Sequence, residues 1–154
     1  MSQFNNITIE SWLDLELNRD KTQVVDLREP GGSMDFLGFT FRYDRDLNGG
    51  KHRYLNITPS RKALSAHREK LRQTISRRQA MVPVTRLIER VNRQQRGWAA
   101  YFSFGYPRRA LRAMNWYVGS RLIGHLRRRS QRPYRPPKGR SYYQHLKQLG
   151  LIYL

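Results

Sequence analysis

The apolar positions change their spacing near residue 58. Before it they cluster as in strands, and after it they recur every three or four residues. Residues 9–18 (IESWLDLELN) predict a short helix, with Trp12, Leu13, Leu15 and Leu17 apolar. Thr22 to Leu27 (TQVVDL) is a β-type run, broken by Pro30, Gly31 and Gly32. Asp35 to Tyr43 (DFLGFTFRY) reads as one buried strand. The turn-rich Asp44–Gly50 segment (DRDLNGG) follows, and Arg53 to Thr58 (RYLNIT) reads as the return strand of a hairpin. A lone hairpin is marginal in water, so it either packs on the helices that follow or belongs to a larger sheet.

Helical spacing takes over after Thr58-Pro59-Ser60, with Ser60 as a candidate N-cap. Leu64, His67 or Arg68, Leu71 and Ile75 share one face of a first helix. Pro83 precedes a second, from about Val84 to Phe102, with the stripe Leu87, Ile88, Val91, Trp98, Tyr101 and Phe102. Gly97 interrupts that stripe and points to close helix approach. Gly105 and Pro107 punctuate the chain before a third helix, from about Arg108 to Arg128, with Leu111, Met114, Val118, Leu122 and Leu126 in register. Three such helices make one small bundle. Arg132 to Arg140 (RPYRPPKGR) reads as extended and solvated, and Ser141 to Leu149 as a last short helix ending at Gly150. The predicted fold class is α+β, mainly α: an N-terminal β-hairpin piece (1–58), a three-helix bundle (59–130) and a basic Pro/Tyr-rich tail with a short terminal helix (131–154).

Charge sharpens this division. Residues 1–50 hold nine acids and five bases, net −4; residues 51–154 hold two acids and 25 bases, net +23. So positive a surface repels itself unless a polyanion neutralises it, and nucleic acid is the default polyanion. Few of the 30 bases are lysine. Arginine's planar fork suits phosphates and base stacking, which favours structured RNA or DNA over a membrane surface. No run of 18 apolar residues occurs, so no membrane span is expected. The start, MSQFNNITIE, has neither the basic nor the apolar region of a secretory signal. With no cysteine there is no disulfide, thiolate zinc site or cysteine nucleophile. The expected compartment is a bacterial cytoplasm, with an organelle as the alternative.

Catalytic chemistry finds little footing. Asp44 and Asp46 are the close acidic pair, but in a turn where Asp usually stabilises the turn itself. His52, His67, His125 and His145 are scattered, and His67 and Glu69 fall on different faces of a helix. No serine sits in a nucleophile elbow and no glycine pair forms a phosphate loop. No metal site or cofactor is expected. Trp98, Tyr101, Phe102, Phe104 and Tyr106 crowd nine positions; the spacing of the first three favours core over base stacking. For Tyr134, Tyr142 and Tyr143, set among basic residues, stacking on bases and packing remain equal alternatives.

Several segments, in order, resemble one family. Leu15 to Leu27 (LELNRDKTQVVDL) followed by Asp35 to Phe41 (DFLGFTF) is similar to the last palm motifs of group II intron-encoded reverse transcriptases. There an LN-x-x-KT segment follows the catalytic Asp-Asp turn and an FLGF segment closes the palm. From Pro59-Ser60 onward the chain resembles their thumb, the maturase domain or domain X. Val91 to Phe102 (VNRQQRGWAAYF) resembles the I/V-N-x-x-x-R-G-W-x-x-Y-F signature at Asn92, Arg96, Gly97, Trp98, Tyr101 and Phe102. Arg108 to Arg129 resembles the helix after it, and YYQHLKQLGLIYL the segment after the thumb. The Y/F-A-D-D turn with its metal-binding aspartates has no counterpart here, and neither has a Cys-containing endonuclease segment.

The resemblance implies a palm remnant, a thumb-like bundle and a non-enzymatic, RNA-binding role in folding and splicing a group II intron. It implies Mg²⁺ only through bound RNA or a palm supplied elsewhere. The alternative is a remnant or split piece, active in DNA synthesis only with an upstream palm-bearing polypeptide. The implied partner is group II intron RNA, with a template–primer duplex or DNA as a further one. Lys21 matches the Lys of the KT motif, near the nucleotide or primer site of a complete palm, or is an exposed Lys at a strand start. Phe36 to Phe39 match a primer-supporting segment, though their apolar character favours core. Asn92 and Arg96 either touch RNA or brace the bundle. Besides Lys21, the candidate nucleic-acid contacts are Arg61, Lys62, Arg68 and Arg72 on the first helix and Arg77 and Arg78 after it. Arg93 and Arg96 follow on the second, then Arg108, Arg109, Arg112, Arg127, Arg128 and Arg129 on the third, and Arg132, Arg135, Lys138 and Arg140 in the tail.

Overall fold

A computed structural model describes residues 25–29, 31–45, 52–132 and 134–154. The expected helix at 9–18, Lys21 and most of the Asp44–Gly50 turn lie outside the described residues. Of the run Thr22–Leu27, the described residues Val25 to Leu27 form no strand.

Three strands, β1 (Ser33–Phe36), β2 (Phe39–Arg45) and β3 (Arg53–Pro59), form an antiparallel sheet in sequence order. Phe36 pairs with Phe39 and Phe39 with Pro59. The single strand expected over Asp35–Tyr43 is therefore two strands. Leu37 (φ 48°) and Gly38 (φ 83°) turn the chain between them. Positive φ at both central residues is the two-residue hairpin geometry whose twist matches the strands it joins. A leucine rarely adopts it, so the apolar run gave no sign of a break.

Four helices follow: α1 (Arg61–Thr74), α2 (Val84–Tyr101), α3 (Arg108–Arg128) and α4 (Tyr142–Gln148). Ser60 caps α1, accepting from the Ala63 amide at 3.1 Å, while its own amide donates to the Gly38 carbonyl at 2.8 Å. The helix start and the hairpin turn are thus tied together. A 3₁₀ turn at Arg77–Gln79 leads to Pro83 and α2. Ser141 and Gln144 form a reciprocal capping box on α4.

One core collects Leu71 and Ile75 from α1, Leu87, Ile88 and Val91 from α2, and Met114, Val118, Leu122 and Leu126 from α3. Leu146 and Leu151 complete it. Each such side chain contributes roughly 1.5–3 kcal/mol on burial. The C-terminal segment is thus part of the bundle's own core. Its last residues are held by two asparagine clamps. Asn92 Nδ2 donates to the Gly150 carbonyl (2.7 Å) and its Oδ1 accepts from the Ile152 amide (3.0 Å). Asn115 repeats the arrangement on Leu154, at 2.8 and 2.9 Å.

The sheet meets the bundle through aromatic rings. Phe39 lies 4.9 Å from Phe102, Phe102 lies 4.7 Å from Trp98, and Trp98 stacks on His67 at 5.0 Å. Gly105 touches β3: a Cβ there would meet the Ile57 carbonyl oxygen at 2.4 Å, and its φ is +82°. That approach lets the Tyr106 amide donate to Ile57 O at 2.8 Å. Gly97, by contrast, is exposed with nothing near it, which corrects the expected close helix approach.

Candidate nucleic-acid interface

Eighteen of the sequence-predicted cationic residues fall among the described residues, and all but half-buried Arg129 are exposed. The placement follows from the helices. With the apolar stripe facing inward at positions three and four apart, the interleaved arginines must face out. Arg61, Lys62, Arg68 and Arg72 stand on α1; Arg93 and Arg96 on α2; Arg108, Arg109, Arg112, Arg127 and Arg128 on α3. Arg77 and Arg78 form the 3₁₀ turn, and Arg132, Arg135, Lys138 and Arg140 line the tail.

Among the described residues almost none of this charge is paired with an acid. Among the described residues the ion pairs are Arg42–Asp44 (2.9 Å) and Arg72–Glu69 (3.4 Å). Of the candidates, then, only Arg72 faces an acid among the described residues. Two others are steadied without losing their charge: Arg68 lies over the Tyr117 ring at 5.7 Å and Arg127 over Tyr142 at 5.0 Å. Arg140 bonds the Gln148 side chain. A held guanidinium loses less entropy when it meets a phosphate.

Between α1 and α2 lies an open groove of about 450 Å³, lined by Lys70, Arg90, Arg93, Gln73, Gln94, Gln79 and Thr74. Its mixture of cations and neutral amides matches a sugar–phosphate backbone, which offers charged oxygens beside hydroxyls. Arg90 donates to Gln79 at 3.4 Å and Gln94 to Thr74 at 2.8 Å, so the groove wall is partly preorganised.

The aromatic residues divide between core and surface. Phe102 is buried and Trp98 half-buried, as the helical spacing predicts. Tyr101, placed with them in the core by that spacing, is instead 56% exposed, its hydroxyl donating to the Leu37 carbonyl at 2.9 Å. Phe36 and Leu37 also face solvent, correcting the core reading of Phe36–Phe39; only Gly38 and Phe39 turn inward. Phe104 and Tyr106 are exposed on the loop after α2. In the tail, Tyr134 is half-buried against His145, and Tyr142 donates to the Tyr134 carbonyl at 2.6 Å. Tyr134 thus departs from the solvated tail expected there. Tyr143 is exposed but already stacked on Tyr153 at 4.3 Å.

Sequence reasoning passed over Trp116. It is 75% exposed on α3, one turn beyond Arg112 and two beyond Arg109. The signal was available: a tryptophan four residues after an arginine and off the apolar stripe. A flat ring beside guanidinium groups is a platform for an unpaired base.

The signature residues behave differently from one another. Asn92 is buried and braces the C-terminus, whereas Arg96 is exposed. Asp44, half of the acidic pair, accepts from Arg42 at 3.0 Å and from Asn56, so it serves the sheet; Asp46 lies outside the described residues. Of the histidines, His67 Nε2 donates to Gln95 Oε1 at 3.0 Å, and burial lowers its pKa, opposed by that hydrogen bond and aided by Lys70. His145 is engaged with Tyr134.

Fold and surface together define a class, a small helical domain whose arginine-covered exterior is left open to a polyanion. Residues 64–144, from within α1 to within α4, match the family of the group II intron, maturase-specific domain, and the chain belongs to that family. Its role is therefore maturase-related. The sheet lies outside the matched span. No curated protein matches the chain significantly. Among the described residues no helix is long and apolar enough to cross a membrane.

Proposed function

We propose that the protein binds group II intron RNA and assists its folding and splicing, while the RNA performs the chemistry. One observation carries this reading. The matched span presents arginines from three helices, and among the described residues one of these candidates, Arg72, has an acid partner. Packing RNA helices together needs phosphate charge neutralised at several points at once, and a rigid arginine surface does so with shape selectivity.

In this reading the chain is not itself an enzyme and holds no cofactor of its own. Residues 51–154 contain only Glu69 and Glu89 as acids. Glu69 pairs with Arg72, and Glu89 is exposed on α2. A two-metal polymerase site needs converging carboxylates. A second reading, completion by a palm-bearing polypeptide, is favoured by β1: all four of its residues are exposed, and its outer edge is unpaired among the described residues.

The test is a splicing assay on a group II intron transcript at a Mg²⁺ concentration too low for the RNA alone. The reading expects the chain to restore splicing. No rescue with retained RNA binding would reject the splicing role.

A further inference from the structure

We propose that the pocket between the 3₁₀ turn and the C-terminal half of α3 is a phosphate site, taking a phosphate group carried on a nucleotide. The pocket has a volume of about 300 Å³ and is lined by Arg77, Arg121, Arg128, Arg129, Ser120 and His125. Four arginines therefore line one concavity, and no carboxylate lines it among the described residues. Like charges gathered this way repel unless an anion joins them. Arginine's fork matches phosphate oxygens in particular.

A second observation is independent of the charge count. Arg121 Nε and His125 Nε2 are buried with no hydrogen-bond partner among the described residues. Buried polar nitrogens are nearly always partnered, and these two lie one turn apart on α3, on residues that line the pocket. His125 is itself 8% exposed. Burial first, then Arg129 and Arg121, push its pKa down, so the imidazole adds a neutral hydrogen-bonding group beside the cations. The volume exceeds what a bare ion needs and sits at the small end of ligand pockets, the scale of one nucleotide. Ile75 supplies an apolar wall for the rest of that nucleotide.

The nucleotide's source is either a strand of bound RNA, which rests on the RNA-binding reading, or a free mononucleotide. NMR of the full chain, with the His125 ring and Arg121 Nε resonances assigned, separates them. The probes are inorganic phosphate, a 5′-mononucleotide and a ten-nucleotide RNA, with binding of a structured group II intron RNA followed in parallel by fluorescence anisotropy. All three should move both resonances, the RNA at the lowest concentration if a strand is the source. Arg121→Gln should weaken the effect about tenfold. Arg77→Gln, on the surface turn, should do likewise if the first variant folds poorly. RNA that binds while both resonances stay still under every probe would overturn the site and leave the RNA reading standing. Phosphate that moves them while structured RNA fails to bind would uphold the site and remove that reading.

Discussion

Asn92 shows how one residue can be assigned by its partners. Its two hydrogen bonds reach 58 and 60 positions along the chain, so sequence could only leave it between bracing and RNA contact. Asn92→Ala removes both and strands a carbonyl and an amide. Stability should fall by about 2–3 kcal/mol in urea unfolding, through this clamp rather than any RNA contact. Trp98 and Trp116 make a matched contrast. Trp98→Ala opens the His67–Trp98–Phe102 stack and should cost about 3 kcal/mol, the low end for a large aromatic because its ring is only half-buried. Trp116→Ala should leave stability within about 0.5 kcal/mol. It should nonetheless weaken binding to RNA with unpaired bases by about 1–3 kcal/mol. A destabilised Trp116→Ala variant with intact binding would make that residue structural.

At the scale of elements, the helices were legible because their ends carry chemistry. Ser60, Pro83, Pro107 and Ser141 stand at the four starts, and α3 runs over the predicted Arg108–Arg128. Their inner faces were equally legible, since Leu71, Leu87, Val118 and Leu122 repeat at helical spacing and are all buried. The sheet was less so. DFLGFTF is apolar throughout, and nothing local says that Leu37 takes a left-handed conformation or that Phe36 faces solvent. The outward arginines were legible as a group, because a stripe that faces in fixes what faces out. Their convergence with His125 and Ser120 at one pocket was not, since it depends on how the 3₁₀ turn meets α3. For the exposed α3 face, Arg109→Gln with Arg112→Gln should flatten the salt dependence of RNA affinity. The log–log slope should lose roughly 1.4–1.8, from two phosphate contacts. An unchanged slope would move the interface to another helix.

The whole molecule combines an apolar core with an exterior of exposed arginines. Its pH response follows from the core. His67 and His125 are buried and titrate below their ordinary value of 6.5. The unfolded chain takes up those protons first, so stability should be level above about pH 7 and decline as pH falls from about 6.5 towards the lowered folded-state values. Urea midpoints at pH 7.5 and 5.5 check this, and a flat profile would contradict the burial of the two rings. With primer, template and Mg²⁺ the purified chain should extend nothing; extension would overturn the non-enzymatic reading. The most direct measurement is a binding titration at several salt concentrations with three ligands: a group II intron RNA, an unstructured RNA of equal length and a DNA duplex. Recognition of folded RNA predicts tightest binding to the intron, persisting at moderate salt after the other two have weakened. Equal binding to all three, collapsing together as salt rises, would contradict it.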